Sequence, residues 1–183
     1  MKRILIWIII LILAGIFVYF TKYKNKNINN IKTYTNIIIN NYNQLTWIAT
    51  SSNGYSFEYP EKLGTTYINT VDWPPVFNIE NKSYTCIESG VSENDIQGKV
   101  NKEIINGKEF CITRKSEGAA GSVYTNYTYT FAIDNQTGIF TFTTRQPQCM
   151  NYDDPKQTEC INEENNFEIS NIIDIITSKI KKI

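Results

Sequence analysis

The hydrophobic positions of the chain are concentrated in one uninterrupted run near its start. Residues 4–20 (ILIWIIILILAGIFVYF) are all apolar, and two basic residues precede them. A membrane-spanning helix needs about 20 apolar residues, with a usable range of about 17–25, whereas the apolar core of a cleaved signal peptide has about 7–15. The run also continues past its only small residues, Ala14 and Gly15. We therefore predict a transmembrane signal anchor over residues 1–21 that contacts the lipid bilayer through residues 4–20, with a cleaved signal peptide as the alternative.

The segment that follows, residues 22–45, is polar and low in complexity. It is rich in Asn and Lys and contains no acidic residue, no glycine and no proline. Such a composition is typical of a linker. We therefore predict a polar spacer between the membrane and a folded domain that begins at residue 46.

From residue 46 onward, apolar and polar residues alternate with the period of two that is typical of β-strands covered on one side. The Asn106-Gly107 pair favours a type I′ turn, so it predicts a hairpin. Residues 146–164 are polar and predict a loop. The predicted strands are 47–50, 55–59, 65–71, 76–79, 84–88, 99–105, 108–115, 123–133 and 139–145.

The end of the chain changes to a helical period. Isoleucines recur at positions 169, 172, 173, 176 and 180, which lie on one stripe of an α-helix. We therefore predict an α+β fold for residues 46–183, in which an antiparallel β-sheet packs against a C-terminal amphipathic helix.

The distribution of charge along the chain limits the kinds of molecule that the predicted domain can bind. All 18 acidic residues lie at Glu58 or later, together with 12 of the 18 basic residues, so the predicted domain carries 12 − 18 = −6 and the first 45 residues carry +6. An acidic domain repels phosphate backbones, which argues against nucleic-acid binding. The sequence also contains no histidine, which removes Ser-His and Cys-His catalysis and the usual zinc sites. We predict no catalytic, cofactor-binding or metal-binding residues.

Four cysteines, at positions 86, 111, 149 and 160, all lie in the predicted domain. We predict disulfide bonds between Cys86 and Cys111 and between Cys149 and Cys160, which is one of three ways to pair them. Four reduced thiols in a cytosolic domain are the alternative. Lysines flank both sides of the apolar run and do not fix its orientation. Because disulfides persist outside the cytosol, we place the domain on the extracytoplasmic side of the cell membrane.

Few other residues indicate chemistry. Arg114 and Arg145 are the only arginines of the predicted domain and are candidate ligand contacts for a carboxylate, although an ion pair within the fold is the favoured interpretation. Residues 118–121 (GAAG) lack the following Lys-Ser/Thr of a phosphate-binding loop and predict a tight turn. The acidic pairs at 153–154 and 163–164 do not have the spacing of a calcium loop.

Two stretches resemble known families. Residues 54–60 (GYSFEYP) resemble the opening strand of PsbP-like (Mog1/PsbP-type) domains, which implies an antiparallel sheet flanked by helices. The stretch GAAGSVY at 118–124, together with RQPQC at 145–149 and NYDDP at 151–155, is similar to uncharacterised single-pass envelope proteins of small-genome bacteria. Neither resemblance implies a catalytic residue.

The predicted function is therefore a membrane-anchored, non-catalytic binding or structural module of the cell envelope, with an envelope protein as a candidate partner. A pilin-like assembly subunit is one alternative, although the apolar run contains no acidic residue. An extracytoplasmic hydrolase is the other, and it requires two carboxylates within about 5–10 Å of each other in a cleft.

Overall fold

The computed structural model describes residues 45–90 and 98–183 of the chain. The predicted anchor at residues 1–21 lies outside these ranges, as does the predicted spacer at residues 22–45 apart from Leu45. None of the helices in the described ranges has the length and hydrophobicity that crossing a bilayer requires.

The described residues form two antiparallel sheets and two α-helices. The helices are α1 (Lys156–Asn166) and α2 (Ile169–Ser178), and a short 3-10 helix spans Cys149–Asn151. The strands are β1 (Trp47–Ser52), β2 (Tyr55–Pro60), β3 (Asn69–Thr70), β4 (Val76–Glu80), β5 (Lys99–Ile105), β6 (Lys108–Ala119), β7 (Ser122–Ile133), β8 (Gln136–Pro147) and β9 (Lys181–Lys182). An α+β fold with an antiparallel sheet is thus confirmed.

The larger sheet has the strand order β3-β8-β7-β6-β5, with β4 also pairing with β8, and the smaller sheet has the order β1-β2-β9. Tight hairpins connect β5 to β6 and β6 to β7. Asn106 and Gly107 have φ angles of 50° and 84°, and Ala120 and Gly121 have 47° and 70°. Positive φ at both central residues is the geometry of a type I′ turn, whose twist matches that of the strands it joins. The hairpin predicted at Asn106-Gly107 is confirmed.

One face of the larger sheet, which we call the inner face, forms the core. Alternate residues of its three long strands point to this face and are almost fully buried. They are Phe110 and Ile112 on β6, Tyr127, Tyr129 and Phe131 on β7, and Phe140 and Phe142 on β8. The predicted alternation along residues 123–133 therefore identified the buried set of β7 correctly.

Aromatic rings join the two sheets. Phe57 of β2 lies with its ring centroid 5.5 Å from that of Phe77 on β4 and 5.3 Å from that of Phe140 on β8. Phe77 and Phe140 are themselves 4.8 Å apart. Aromatic pairs at these separations attract each other beyond their simple burial, so the smaller sheet packs on the larger one through a shared aromatic cluster.

Helix α2 buries its isoleucine stripe, as the spacing predicted. Ile169, Ile172, Ile173 and Ile176 are at most 4% exposed. The hydroxyl of Ser170 on α2 lies 2.9 Å from the hydroxyl of Tyr129 on the inner face, and both residues are buried. A second polar contact joins the helix to the turn between β5 and β6, where the Asn106 amide donates to the carboxylate of Asp174 over 2.8 Å.

Three of the predicted elements were wrong. Residues 84–88 are not a strand; they cross the larger sheet and are held by a disulfide bond and side chains. Only Asn69 and Thr70 of the predicted strand 65–71 form a strand, because a carboxylate accepts hydrogen bonds from the preceding backbone N–H groups. The predicted loop at 146–164 contains α1, whose sequence has no apolar stripe.

The boundary between β6 and β7 also differs from the prediction. Strand β6 was predicted to end at residue 115, but it continues to Ala119, and the turn follows at Ala120 and Gly121. The predicted tight turn at this position is nevertheless present.

Candidate functional site

The candidate site is the second face of the larger sheet, which we call the outer face. It carries the alternate residues of the long strands that the core does not use. Helix α2 packs on the opposite, inner face, where Ser170 meets Tyr129. The outer face is only partly covered, and by a segment of irregular chain rather than by a helix.

That covering segment comprises residues 82–89, which we call the crossing segment. Its carbonyl at Lys82 accepts a hydrogen bond of 2.9 Å from the Thr137 hydroxyl on β8. Cys86 is disulfide-bonded to Cys111 on β6, and Ser89 pairs with Val100 on β5. The crossing segment therefore runs from one edge of the sheet toward the other and is attached to the part of the outer face that holds Cys111.

Next to Cys111, the outer face carries threonines in cross-strand register. Thr113 on β6 lies opposite Thr128 on β7, which lies opposite Thr141 on β8. Neighbouring strands are separated by about 4.8 Å, so the three side chains form a straight row. Thr130 and Thr143 lie two residues further along their strands on the same face. We call these five threonines the threonine face.

Hydrogen bonds fix the border of the threonine face and leave its centre open. The Thr143 hydroxyl donates to Asp72 over 3.0 Å and accepts from the Asn126 amide over 3.2 Å. The Thr130 hydroxyl donates to the carbonyl of Cys111 over 3.3 Å. No side-chain hydrogen bond within the described ranges engages the row of Thr113, Thr128 and Thr141, and all three are partly buried. Their hydroxyls can therefore serve a ligand as donors and acceptors.

The structure places the two candidate arginines on opposite faces of the sheet. Arg145 is an outer-face residue of β8, opposite Tyr124 of β7, and lies at the border of the threonine face. Arg114 belongs to the other face, next to Tyr127, and its guanidinium is 2.8 Å from the carboxylate of Glu103. The two arginines therefore do not share a site. Arg114 has a partner within the fold, which leaves Arg145 as the arginine suited to touch a ligand on the outer face.

The Arg114–Glu103 pair is largely shielded from water. Burial lowers the pKa of Arg114, but the hydrogen bond and the charge of Glu103 outweigh this effect, so its pKa is raised overall. The guanidinium side chain is 17% exposed. Because the charge of Arg114 is balanced by Glu103 within the fold, this pair is suited to stabilise the sheet and not to bind a ligand.

The second disulfide bond joins Cys149 of the 3-10 helix to Cys160 of α1. Together with Cys86–Cys111 it gives the predicted pairing, and no cysteine is free. Glu164 lies beside this second bond, and burial, followed by the charge of Glu163, raises its pKa. Cys149, Cys160 and Glu164 have the proximity of metal ligands, but metals bind thiolates, and both sulfurs are here bonded to each other. This cluster is therefore not a metal site.

Helix α1 is docked by two carboxylates that lie one turn apart. The Glu163 carboxylate accepts hydrogen bonds of 2.7, 2.7 and 2.8 Å from the backbone N–H groups of Thr66, Tyr67 and Ile68. The Tyr67 hydroxyl donates to Glu159 over 2.9 Å. We call the loop at residues 66–68 the capped loop. These two acids therefore attach α1 to the capped loop.

Other carboxylates of the described residues are engaged in the same structural way. Glu58 receives a hydrogen bond of 2.6 Å from Lys179, and Asp134 receives one of 2.9 Å from Tyr55. A hydrolase needs one carboxylate free to act as a base or nucleophile beside a second that holds a proton. The acids named above already accept hydrogen bonds from the fold, so their arrangement does not favour that chemistry.

Comparisons with protein-family models, with curated proteins and with solved structures found no match to the chain. The resemblance of residues 54–60 to PsbP-like domains therefore remains a prediction, as does the similarity to single-pass envelope proteins.

Sequence reasoning missed the threonine face, although a signal for it was present. Thr128 and Thr130 occupy even positions of β7, and Thr141 and Thr143 occupy odd positions of β8, so each strand alone shows a polar side. The sequence does not show the register between the strands. Without it the shared face cannot be identified, because a one-residue slip between two strands moves every side chain to the other face.

Proposed function

We propose that the chain is a single-pass membrane protein whose residues 4–20 anchor it in the bilayer and whose domain, on the extracytoplasmic side, is a non-catalytic binding or structural module of the cell envelope. The observation that carries this proposal is the pair of disulfide bonds, Cys86–Cys111 and Cys149–Cys160. Structural disulfides form and persist in oxidising compartments and are rare in the cytosol. The apolar run at residues 4–20 supplies a route out of the cytosol.

The two bonds have different tasks in such a module. Cys86–Cys111 fastens the crossing segment to β6, which leaves the threonine face open beside it. Cys149–Cys160 ties α1 to the end of β8 through a loop of eleven residue steps and stabilises the folded state by about 3 kcal/mol in the loop-entropy description. Both bonds therefore attach segments that lie outside the long strands, the crossing segment and α1, to the rest of the domain.

The threonine face supports the binding part of the proposal. Uncharged hydroxyls on a rigid sheet provide donors and acceptors at fixed spacing without the cost of removing charges from water. Arg145 at the border adds one positive charge in a domain whose sum is negative. These properties favour a polar partner surface with an acidic group near Arg145, such as an envelope protein, and they disfavour nucleic acid.

The location is tested by the state of the thiols in native membranes. The membranes are denatured in an excess of an alkylating reagent that blocks every free thiol, and the mass of the protein is then measured before and after reduction followed by a second alkylation. We expect four additional alkyl groups only after reduction. Alkylation of all four cysteines without reduction would overturn the extracytoplasmic location.

A topology measurement separates location from folding. Glu117, exposed near the β6–β7 turn, is replaced by cysteine, and intact cells are treated with a membrane-impermeant maleimide. Labelling of Glu117→Cys in intact cells is expected for an extracytoplasmic domain. Labelling that appears only after lysis would place the domain on the cytosolic side.

A further inference from the structure

The edge of the smaller sheet formed by β1 differs from the other sheet edges of the described residues. A free strand edge presents unpaired N–H and C=O groups, and proteins normally protect it with charges, proline or a cover. The β1 sequence, WIATSS, contains neither a charged residue nor a proline. The strand is six residues long and pairs only with β2 within the described ranges.

Three other edge strands within the described ranges have such protection. Strand β5 contains Lys99, Lys102 and Glu103, and the backbone N–H of Lys102 is capped by Glu88 over 2.9 Å. Strand β9 consists of two lysines. On β4, the Phe77 carbonyl accepts hydrogen bonds from the side chains of the β1–β2 turn region. The bare edge of β1 is thus a specific feature and not a general property of this fold.

The pattern of hydrogen bonds between β1 and β2 shows which backbone N–H and C=O groups of β1 point away from β2. The N–H of Glu61 donates to the carbonyl of Thr46 over 2.8 Å, and the register then alternates along the pair. In an antiparallel ladder, every second residue turns its N–H and C=O away from the neighbouring strand. Those residues are Trp47, Ala49 and Ser51, and both Ala49 and Ser51 are exposed.

We propose that β1 pairs in antiparallel orientation with β1 of a second copy of this chain, about a two-fold axis at Ala49. With Ala49 opposite its own copy, Trp47 lies opposite Ser51 of the second copy. All outward-facing backbone groups of the strand then find partners, since each such pair exchanges two hydrogen bonds. On one side of the joined sheet, Ile48, which is 37% exposed, meets Thr50 of the second copy. Pairs of β-branched side chains stabilise cross-strand contacts.

A second copy is favoured over another protein for two reasons. The outward-facing residues of β1 match those of a second, antiparallel β1 in number and position. The strand also contains no charged residue that would face an identical charge across the axis. The pairing also rests on the proposed function, because anchors at residues 4–20 hold all copies in one membrane with one orientation. Strand β1 begins directly after the spacer, so the effective concentration of one β1 for another is high, and even a small contact then suffices.

The proposal is tested by cross-linking the full-length chain in its native membrane. Ala49→Cys introduces a single free thiol, because the four natural cysteines are all bonded. A short, membrane-permeant bismaleimide is added, and the covalent dimer is quantified on a reducing gel. Glu117→Cys, an exposed position on a different sheet, is the matched control for random collision. We expect dimer yields about tenfold higher for Ala49→Cys than for Glu117→Cys.

A second variant shows whether the yield depends on strand pairing. Ser51→Pro removes an outward N–H without breaking the β1–β2 ladder, as Pro60 does at the equivalent kind of position on β2. Combined with Ala49→Cys, it is expected to reduce the dimer yield to that of Glu117→Cys. Intact disulfides in the same sample, measured by mass, report that the variant folds and that the domain is exported.

Three outcomes would overturn the pairing. These are equal yields for Ala49→Cys and Glu117→Cys, a yield that Ser51→Pro leaves unchanged, or a cross-linked product that contains a different protein. Because the cross-linker reaches both sides of the membrane, the dimer assay does not depend on topology. If Ala49→Cys alone gives no more dimer than Glu117→Cys while its disulfides are intact, the pairing alone is rejected, whereas free thiols reject the proposed location.

Discussion

The capped loop offers a sharp test of how α1 is held, because one carboxylate satisfies three consecutive backbone donors. Glu163→Gln keeps the size of the side chain but removes its charge and turns an N–H₂ group toward N–H donors. Only one amide oxygen then remains for the N–H groups of Thr66, Tyr67 and Ile68, which now meet both oxygens of Glu163 at 2.7–2.8 Å. Buried donors without acceptors are costly.

The magnitude follows from the exposure of each bond. A hydrogen bond to a charged group contributes about 1.5–3 kcal/mol, and an unsatisfied buried donor costs about 1–3 kcal/mol. Two of the three bonds are partly buried and one is exposed, so we discount the sum strongly. We expect Glu163→Gln to lower the free energy of unfolding by about 2 kcal/mol. For a urea m-value of about 2 kcal/mol per molar, the midpoint then falls by about 1 M.

The assay is equilibrium urea unfolding of the purified chain with its disulfides intact, followed by far-ultraviolet circular dichroism. Glu159→Gln is the matched control, because Glu159 lies one turn earlier on α1 and accepts a single exposed hydrogen bond from Tyr67. It should cost at most about 0.5 kcal/mol. Equal midpoints for the two variants would show that the capped loop is held by something other than the Glu163 carboxylate.

Three further predictions concern the core and its charged border. Tyr129→Phe leaves the buried hydroxyl of Ser170 without its partner at 2.9 Å and should destabilise the domain by about 1–2 kcal/mol in thermal or urea unfolding. Gly138→Ala places a Cβ 2.7 Å from the ring of Phe131, which is 1% exposed, and should cost about 1–3 kcal/mol. Glu58 has a pKa lowered chiefly by the hydrogen bond from its lysine partner and then by the lysine charge. The ionised Glu58 carboxylate therefore stabilises the folded state above the unfolded pKa of about 4.3, and this stabilisation is lost as the pH falls through the lower folded pKa. Glu58→Gln should therefore make the free energy of unfolding less dependent on pH in the acid range.

Controls distinguish these mechanisms from general damage. If the hydroxyl contact matters, Tyr129→Phe combined with Ser170→Ala should cost less than the sum of the single changes, and strict additivity would contradict the contact. For Gly138, a wild-type midpoint in the alanine variant would mean that Phe131 moves freely. For Glu58, a Glu58→Gln curve parallel to the wild type below pH 4 would assign the acid sensitivity to other groups.

The sequence alone predicted the parts of the fold that local chemistry determines. The hairpin at Asn106-Gly107 followed from the turn residues, and α2 followed from its isoleucine spacing, since both signals lie within a few neighbouring residues. The buried set of β7 was also readable from alternation. These elements carry their own structural preference and need no distant partner to be recognised.

The missed elements depend on contacts between residues far apart in the chain. Helix α1 buries only Cys160 and attaches through the disulfide and Glu163, so it has no apolar stripe to read. The loop that it caps looks like a strand in sequence, but its N–H groups bond to a carboxylate about 95 residues away. For the same reason the threonine face was visible only as separate polar positions, and the separation of Arg114 from Arg145 required the register.

The pairing of β2 with β9 has a consequence for the order in which the domain is made. Tyr55 lies opposite Lys182, 182 − 55 = 127 positions later, and the N–H of Ile183 bonds to the carbonyl of Gly54 over 2.9 Å. Strands β1 and β2 are therefore synthesised early, but their sheet is complete only after residues 181–183 have been synthesised. Closing so long a loop is slow, so the smaller sheet, which begins with the first strands of the described chain, is completed only after the last residues have been made.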